Sequence, residues 1–144
     1  RGYTRELVLS LVNGLVYGAY EMCGAVRLAK LSLDSSRSRE LFRNFMELLH
    51  KHLMREHEVQ FYAGKLCISS KYLTHISKGM IGRTPKQIID ETLMYEAMKL
   101  LDKNNSSIQE ISVSLGFPDQ SYFGRFFKRL KHMSPQQYRL RSKR

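Results

Sequence analysis

The sequence predicts an all-α chain: two helix-turn-helix subdomains joined by a long connecting helix and preceded by an extra N-terminal helix. Three observations carry that prediction. Residues 61–89 align without a gap on residues 111–139, fifty positions later. Within each copy, two runs with apolar residues at helical spacing are separated by turn and cap residues. Each copy then closes on a hydroxyl residue followed by proline, Thr84-Pro85 and Ser134-Pro135, a pair that starts a further helix.

In the self-alignment Tyr72 meets Tyr122, Lys78 meets Lys128, Pro85 meets Pro135 and Gln87 meets Gln137. Phe61/Ile111, Leu73/Phe123, His75/Arg125, Ile76/Phe126 and Thr84/Ser134 are conservative pairs. Four identities alone would be weak, but the turn and cap residues fall in register with them. Two copies suit a duplicated supersecondary unit rather than a solenoid.

Taken in chain order, Glu6 to Leu31 reads as a helix, with Leu7, Leu11, Leu15, Ala19 and Met22 on one side and Val8, Val12 and Val16 on another. A helix apolar over so much of its circumference is expected to be buried against a partner. Gly14-x-x-x-Gly18 allows close helix approach, a weak signal by itself. The most apolar stretch, Leu7 to Tyr20, is fourteen residues long and broken by Ser10, Asn13, Gly14 and Gly18. It falls short of the roughly 18 residues of a membrane span. Asp34 to Ser38 is polar and reads as a linker, after which Leu41, Phe45, Leu48, Leu49 and Leu53 mark an amphipathic helix.

The first helix-turn-helix spans about 60–82. Phe61, Ala63 and Leu66 line its first helix, Ser69 caps its second, and Leu73, Ile76 and Met80 bury that second helix. Ser70, Lys71, Thr74, His75 and Lys78 are left outside. The connecting helix, about 85–101, carries the apolar stripe Ile89, Leu93, Ala97, Leu100 and Leu101 and stops at Asn104-Asn105. At 1.5 Å per residue it is roughly 25 Å long, a rigid strut.

The second helix-turn-helix spans about 107–132. Ser107 and Glu110 have capping-box spacing, and Ile108, Ile111 and Leu115 form the buried stripe. Gly116 suits the left-handed residue that stops this helix, Pro118 makes the turn, and Asp119 caps a helix running to about Lys131. Phe123, Phe126, Phe127 and Leu130 face inward, with Ser121, Arg125, Lys128 and Arg129 outside. The phenylalanines read as core rather than as a base-stacking platform, because their spacing matches the buried stripe.

Composition narrows the partner. Twenty-four Lys+Arg against thirteen Asp+Glu give a net charge of +11, which favours a polyanion, either nucleic acid or an anionic membrane surface. Residues 102–144 hold nine basic and three acidic side chains, so the excess concentrates around the second copy. Cys23 and Cys67 form neither a disulfide framework nor a zinc pattern and suit a reducing cytosol. His50 and His52 stand two apart on a helix and point away from each other, so neither a metal site nor a cofactor is expected. No acidic cluster, activated cysteine or nucleophile motif marks an enzyme. No secretory signal is visible, and the chain begins at Arg1 without a methionine, so a longer parent protein is expected.

Ile111 through Arg139 closely resembles the C-terminal signature of the AraC/XylS family of bacterial transcription regulators. The resemblance is carried by Leu115-Gly116-Phe117, Gln120-Ser121-Tyr122-Phe123, Phe126-Phe127-Lys128 and Ser134-Pro135-Gln136-Gln137-Tyr138-Arg139. Tyr62 to Ile89 is similar to the family's more variable first unit, and Glu96-Ala97 with Leu100-Leu101 to its connecting helix. Three residues depart from the pattern. Ser112 replaces an alanine, Ser77 replaces a core phenylalanine, and His132 stands where glycine is common. Looser packing is expected at Ser77, and a left-handed backbone or a rearranged turn at His132.

The resemblance implies a homeodomain-like DNA-binding domain over 36–144, with 1–35 the remnant helix and linker of a missing N-terminal sensor or dimerisation domain. It implies sequence-specific binding to double-stranded DNA, with the second helices, about 70–80 and 120–131, in successive major grooves. Base edges then fall to Lys71, Thr74 and His75 and to Ser121, Tyr122 and Arg125, with Arg125 suited to a bidentate guanine contact. Tyr122 divides between that role and the rim of the core. Phosphates fall to Ser70, Lys78, Gln120, Lys128 and Arg129, and to the amides that open the Pro85 and Pro135 helices. Promoter DNA and RNA polymerase are the implied partners, with no membrane. A second copy is a further candidate, through the N-terminal helix or the sensor domain. The implied location is the cytoplasm, at the nucleoid. The competing classes are a nucleic-acid enzyme and a sequence-neutral basic protein of DNA architecture or RNA.

Overall fold

The computed structural model describes residues 33–103 and 105–144, and the helix read over Glu6–Leu31 lies outside them. Seven helices follow in order among the described residues: α1 (Leu33–His52), α2 (Val59–Lys65), α3 (Ser70–Ile81), α4 (Pro85–Lys103), α5 (Ile108–Ser114), α6 (Gln120–Lys131) and α7 (Pro135–Ser142). Residues 39–144 form one compact unit. The segment Asp34–Ser38, expected as a linker, is helical within α1. It contains neither proline nor glycine, and an existing helix propagates cheaply through such residues.

One contiguous core joins both subdomains. Phe42, Phe45 and Leu49 supply the buried face of α1 with Leu53 just beyond its end, and the Phe45 ring meets Tyr62 edge-on at 5.6 Å. Tyr62, fully buried, takes the place expected of Phe61, which is only partly buried. Its hydroxyl donates to the Glu56 carbonyl at 2.7 Å. Burial pushes the phenol up to about 12, which keeps that donor neutral.

The connecting helix α4 packs against α2 and α3 on one side of the molecule and α5 and α7 on the other. That double duty explains its pattern. Ile89, Leu93, Ala97 and Leu101 make one buried stripe, while Ile88, Asp90 and Met94 are buried beyond it. The strut and the last helix start alike: Thr84 and Gln87 at α4, and Ser134 and Gln137 at α7, exchange side-chain-to-backbone hydrogen bonds in reciprocal capping boxes. At Ser107 only half of the expected box forms. Its hydroxyl accepts from the Glu110 amide at 3.1 Å.

The duplication is not gapless. From the N-caps Ser69 and Asp119 onward the offset is fifty, and the left-handed closing residues Gly82 and His132 keep it. Before those caps it is forty-nine. Buried Tyr62-Ala63 corresponds to Ile111-Ser112, and left-handed Cys67 to left-handed Gly116. The extra residue sits in the second turn, where Gly116 to Pro118 precedes the cap. The hydroxyl of Ser112 fills the space there, donating to the Asp119 carbonyl at 2.9 Å.

The two departures in side-chain size resolve differently. Ser77 is fully buried with a hydroxyl that has no hydrogen-bond partner, a polar atom where an aromatic ring was expected. His132 takes the left-handed backbone at φ 59°, at a cost of about 1 kcal/mol for a residue with a Cβ. Leu130, expected inside, is 37% exposed.

Candidate nucleic-acid interface

Two helices present the same face at the same register. On α3, Lys71, His75 and Lys78 are exposed one turn apart; on α6, Ser121, Arg125 and Lys128 occupy the corresponding positions fifty residues on. Each helix starts on a side-chain cap, the Ser69 hydroxyl accepting from the Tyr72 amide at 3.0 Å and the Asp119 carboxylate from the Tyr122 amide at 2.7 Å. The inner faces are anchored by Leu73 and Ile76 in α3 and by Phe123, Phe126 and Phe127 in α6. Amphipathic burial therefore decides which side chains point out.

The expected contact residues do not all stand free. Thr74 is half-buried and its hydroxyl donates to the Ser70 carbonyl at 2.9 Å, which leaves its methyl and the oxygen's lone pairs for a ligand. Gln120, the first residue of α6, is exposed, and Ser70, the first of α3, is half-buried. Tyr122 is 50% exposed. Its ring packs at the rim, 6.1 Å from Phe117, and its face supports the Arg125 guanidinium at 5.5 Å. Arg129 is exposed but engaged: its guanidinium donates to the Asp90 carboxylate of α4 at 3.2 Å. The capping boxes also occupy the amides of Thr84, Gln87, Ser134 and Gln137, so most of the donors expected there to hold phosphates are engaged.

The subdomains meet around an open cleft of about 590 Å³. Arg55, Lys86, Arg125 and Arg129 line it together with Glu58 and Asp90. The second turn docks directly on the connection between α1 and α2. A Cβ at Gly116 would lie 2.4 Å from the Met54 carbonyl oxygen, so only glycine permits this approach. Beside it the His57 Nε2 bonds the Leu115 carbonyl at 2.8 Å, and its ring lies 5.0 Å from Phe117. Burial is the largest influence on His57 and lowers its pKa below 6.5. Sequence reasoning missed Asp90 and His57. An acid inside an otherwise apolar stripe is a signal for Asp90; His57 carries none, since its partner is a distant backbone oxygen.

Among the described residues no helix is long and apolar enough to cross a membrane, and no group of three His, Cys, Asp or Glu side chains could hold a metal ion.

Residues 62–141 match a family model described as a helix-turn-helix domain. Over 127 residues, 83% of the chain, the sequence is 30% identical to the MmsAB operon regulatory protein of Pseudomonas aeruginosa, 41% of which is covered. The C-terminal domain of AraT, a response regulator from Geobacillus stearothermophilus, is 28% identical with a TM-score of 0.65, covering 69% of this chain and 84% of that one. The DNA-binding domain of AdpA, solved in complex with a target DNA, shares the fold at 22% identity and a TM-score of 0.60, covering 67% and 86%. The chain spans less than half the length of the curated relatives it matches.

Proposed function

The chain belongs to the AraC/XylS family of helix-turn-helix transcription regulators, and from that premise we propose that it reads a two-part operator with α3 and α6 in successive major-groove turns of double-stranded DNA. Sequence-specific DNA binding in transcription regulation, not enzymatic catalysis, is the work of this family. The observation that carries the two-part reading is the shared register of the exposed faces, Lys71/Ser121, His75/Arg125 and Lys78/Lys128, on helices braced by one strut. Two recognition helices reach one face of a duplex when held about 34 Å apart.

In this reading Lys71, Thr74 and His75 contact base edges in one groove, and Ser121, Tyr122 and Arg125 in the next. Arg125, splayed over the Tyr122 ring, presents its planar fork to a guanine. Ser70, Lys78, Gln120 and Lys128 hold phosphates and set the register without reading sequence. Arg129 acts from behind, as the tie between α6 and the strut. Residues 36–144 make the DNA-binding domain, and 1–35 the end of a sensor or dimerisation domain. RNA polymerase and a second copy of the protein are its further partners, and the cytoplasmic nucleoid its place of action.

The test is competition between a selected promoter fragment and scrambled DNA of equal length across a salt titration. The promoter is expected to win by a factor on the order of a thousand or more at moderate salt. Equal affinities at every salt concentration would leave only a sequence-neutral basic protein.

A further inference from the structure

At the start of α6 lies a second cavity, of about 390 Å³. Ser107 and Gln109 of the α5 end, Gln120 at the start of α6, and Gln136 and Arg139 of α7 line it, with Ile108 and Leu140 as apolar walls. No carboxylate is among its lining residues, and Arg139 is their only formal charge. The Nε and Nη2 atoms of Arg139 are shielded from solvent and neither has a hydrogen-bond partner. Guanidinium donors buried without an acceptor are costly, and folded chains rarely leave them so.

The chemistry of the missing acceptor follows from the donors. A planar fork of N–H groups flanked by carboxamides matches an oxyanion with several oxygens, and phosphate fits it bidentately. The position of the cavity supplies the source. Gln120 is the first residue of α6 and adjoins Ser121 on the exposed recognition face, so the pocket opens at the end of the helix that enters the groove. We infer that this pocket takes a backbone phosphate of the DNA strand flanking the second recognition helix, with the Arg139 side chain, only partly buried as a whole, turning outward to present its shielded fork. The inference rests on the DNA-binding reading above and adds Arg139, Gln136 and Gln109 to its contacts.

The test uses the full chain with its selected operator duplex. Arg139→Gln is expected to weaken binding about tenfold, on operator and unrelated duplex alike, and to lower the salt slope by about one. Ethylating a single phosphate beside the second half-site should impair the wild type and leave Arg139→Gln unaffected. Because Arg139 is also part of the packing, Gln136→Glu provides a second arm. Residue 136 is exposed in the first turn of α7, where a carboxylate favours the helix. This variant should keep or raise Tm while binding DNA several-fold more weakly, a combination that a purely structural role does not produce. Unchanged salt slope and ethylation pattern in both variants, with the wild type still preferring its operator, overturns the pocket and spares the DNA-binding reading. A wild type that binds no duplex overturns both. Inorganic phosphate that shifts the Arg139 Nε resonance without any ethylation effect assigns the pocket to a free oxyanion and overturns the DNA assignment.

Discussion

The Arg129 guanidinium on the second recognition helix lies 3.2 Å from the Asp90 carboxylate on the connecting helix. Asp90 is buried, and Lys86, one turn earlier on α4, reaches its other oxygen at 3.2 Å. A buried acid on the strut thus holds α6 by a charge-assisted bond. Through Arg129, the strut helps set where the second reading face stands relative to the first.

Asp90→Ala is therefore expected to cost about 1–2 kcal/mol, less than a fully buried pair because Arg129 is largely exposed. Thermal melts measure that loss. The more telling measurement is binding to operators whose half-site spacing is lengthened by one base pair. The wild type should lose affinity steeply with the altered spacing and Asp90→Ala less steeply. Identical spacing profiles would reduce the pair to a stability contact.

Gly116→Ala should be among the most damaging single-methyl changes in the domain. Its φ of +80° and the Met54 carbonyl at 2.4 Å from the added Cβ act together, and a loss of roughly 3 kcal/mol is expected. Gly82→Ala is the control. Its φ is +69° but nothing lies within 4 Å of its Cβ, so about 1 kcal/mol is expected from backbone strain alone. Urea denaturation compares the two, and equal losses would mean that the Met54 contact yields.

His57 makes stability depend on pH. Burial lowers its pKa from 6.5, so between the lowered value and 6.5 the unfolded chain binds more protons than the folded one. The contribution is complete above about pH 6.5 and is lost as pH falls through the lowered value. The urea midpoint should drop from pH ~7.5 to pH ~5.5. His57→Gln, which keeps a donor for the Leu115 carbonyl, should show a smaller drop. Parallel curves for the two proteins would remove His57 from the account.

Arg125→Ala should weaken operator binding by about 1–3 kcal/mol while changing affinity for unrelated DNA less. Lys128→Ala should weaken both about equally and lower the salt slope by about one. Electrophoretic or fluorescence titrations on matched duplexes separate a base contact from a phosphate contact.

The recognition faces were legible in the sequence because each is a property of one helix. The 3.6-residue spacing of Leu73 and Ile76, or of Phe123, Phe126 and Phe127, determines which neighbours remain outside. Caps at Ser69, Asp119, Thr84 and Ser134 were legible for the same reason, since each acts over three residues. The repeat misled at one place. Identical residues after the turn suggested a single offset, yet the extra residue before Asp119 shifts the first helix by one, so Tyr62 rather than Phe61 is the counterpart of Ile111.

Arg129 shows where such reading stops. On its own helix it looks as free as Arg125, and both stand outside the phenylalanine stripe. What separates them is Asp90, 39 residues earlier on another helix. The same holds for His57 and Leu115, 58 residues apart, and for the unpartnered Nε and Nη2 of Arg139.

The duplicated helices, their caps, their outward faces and the basic character that suits DNA were determined by the sequence alone, because these depend on periodicity, local hydrogen bonding and charge. Only the tertiary structure decided that Arg129 is tied to Asp90 while Arg125 lies over the Tyr122 ring, and how the second turn seats against Met54. Those outcomes depend on the packing of elements distant in the chain, where one close backbone approach or one buried carboxylate outweighs every local preference.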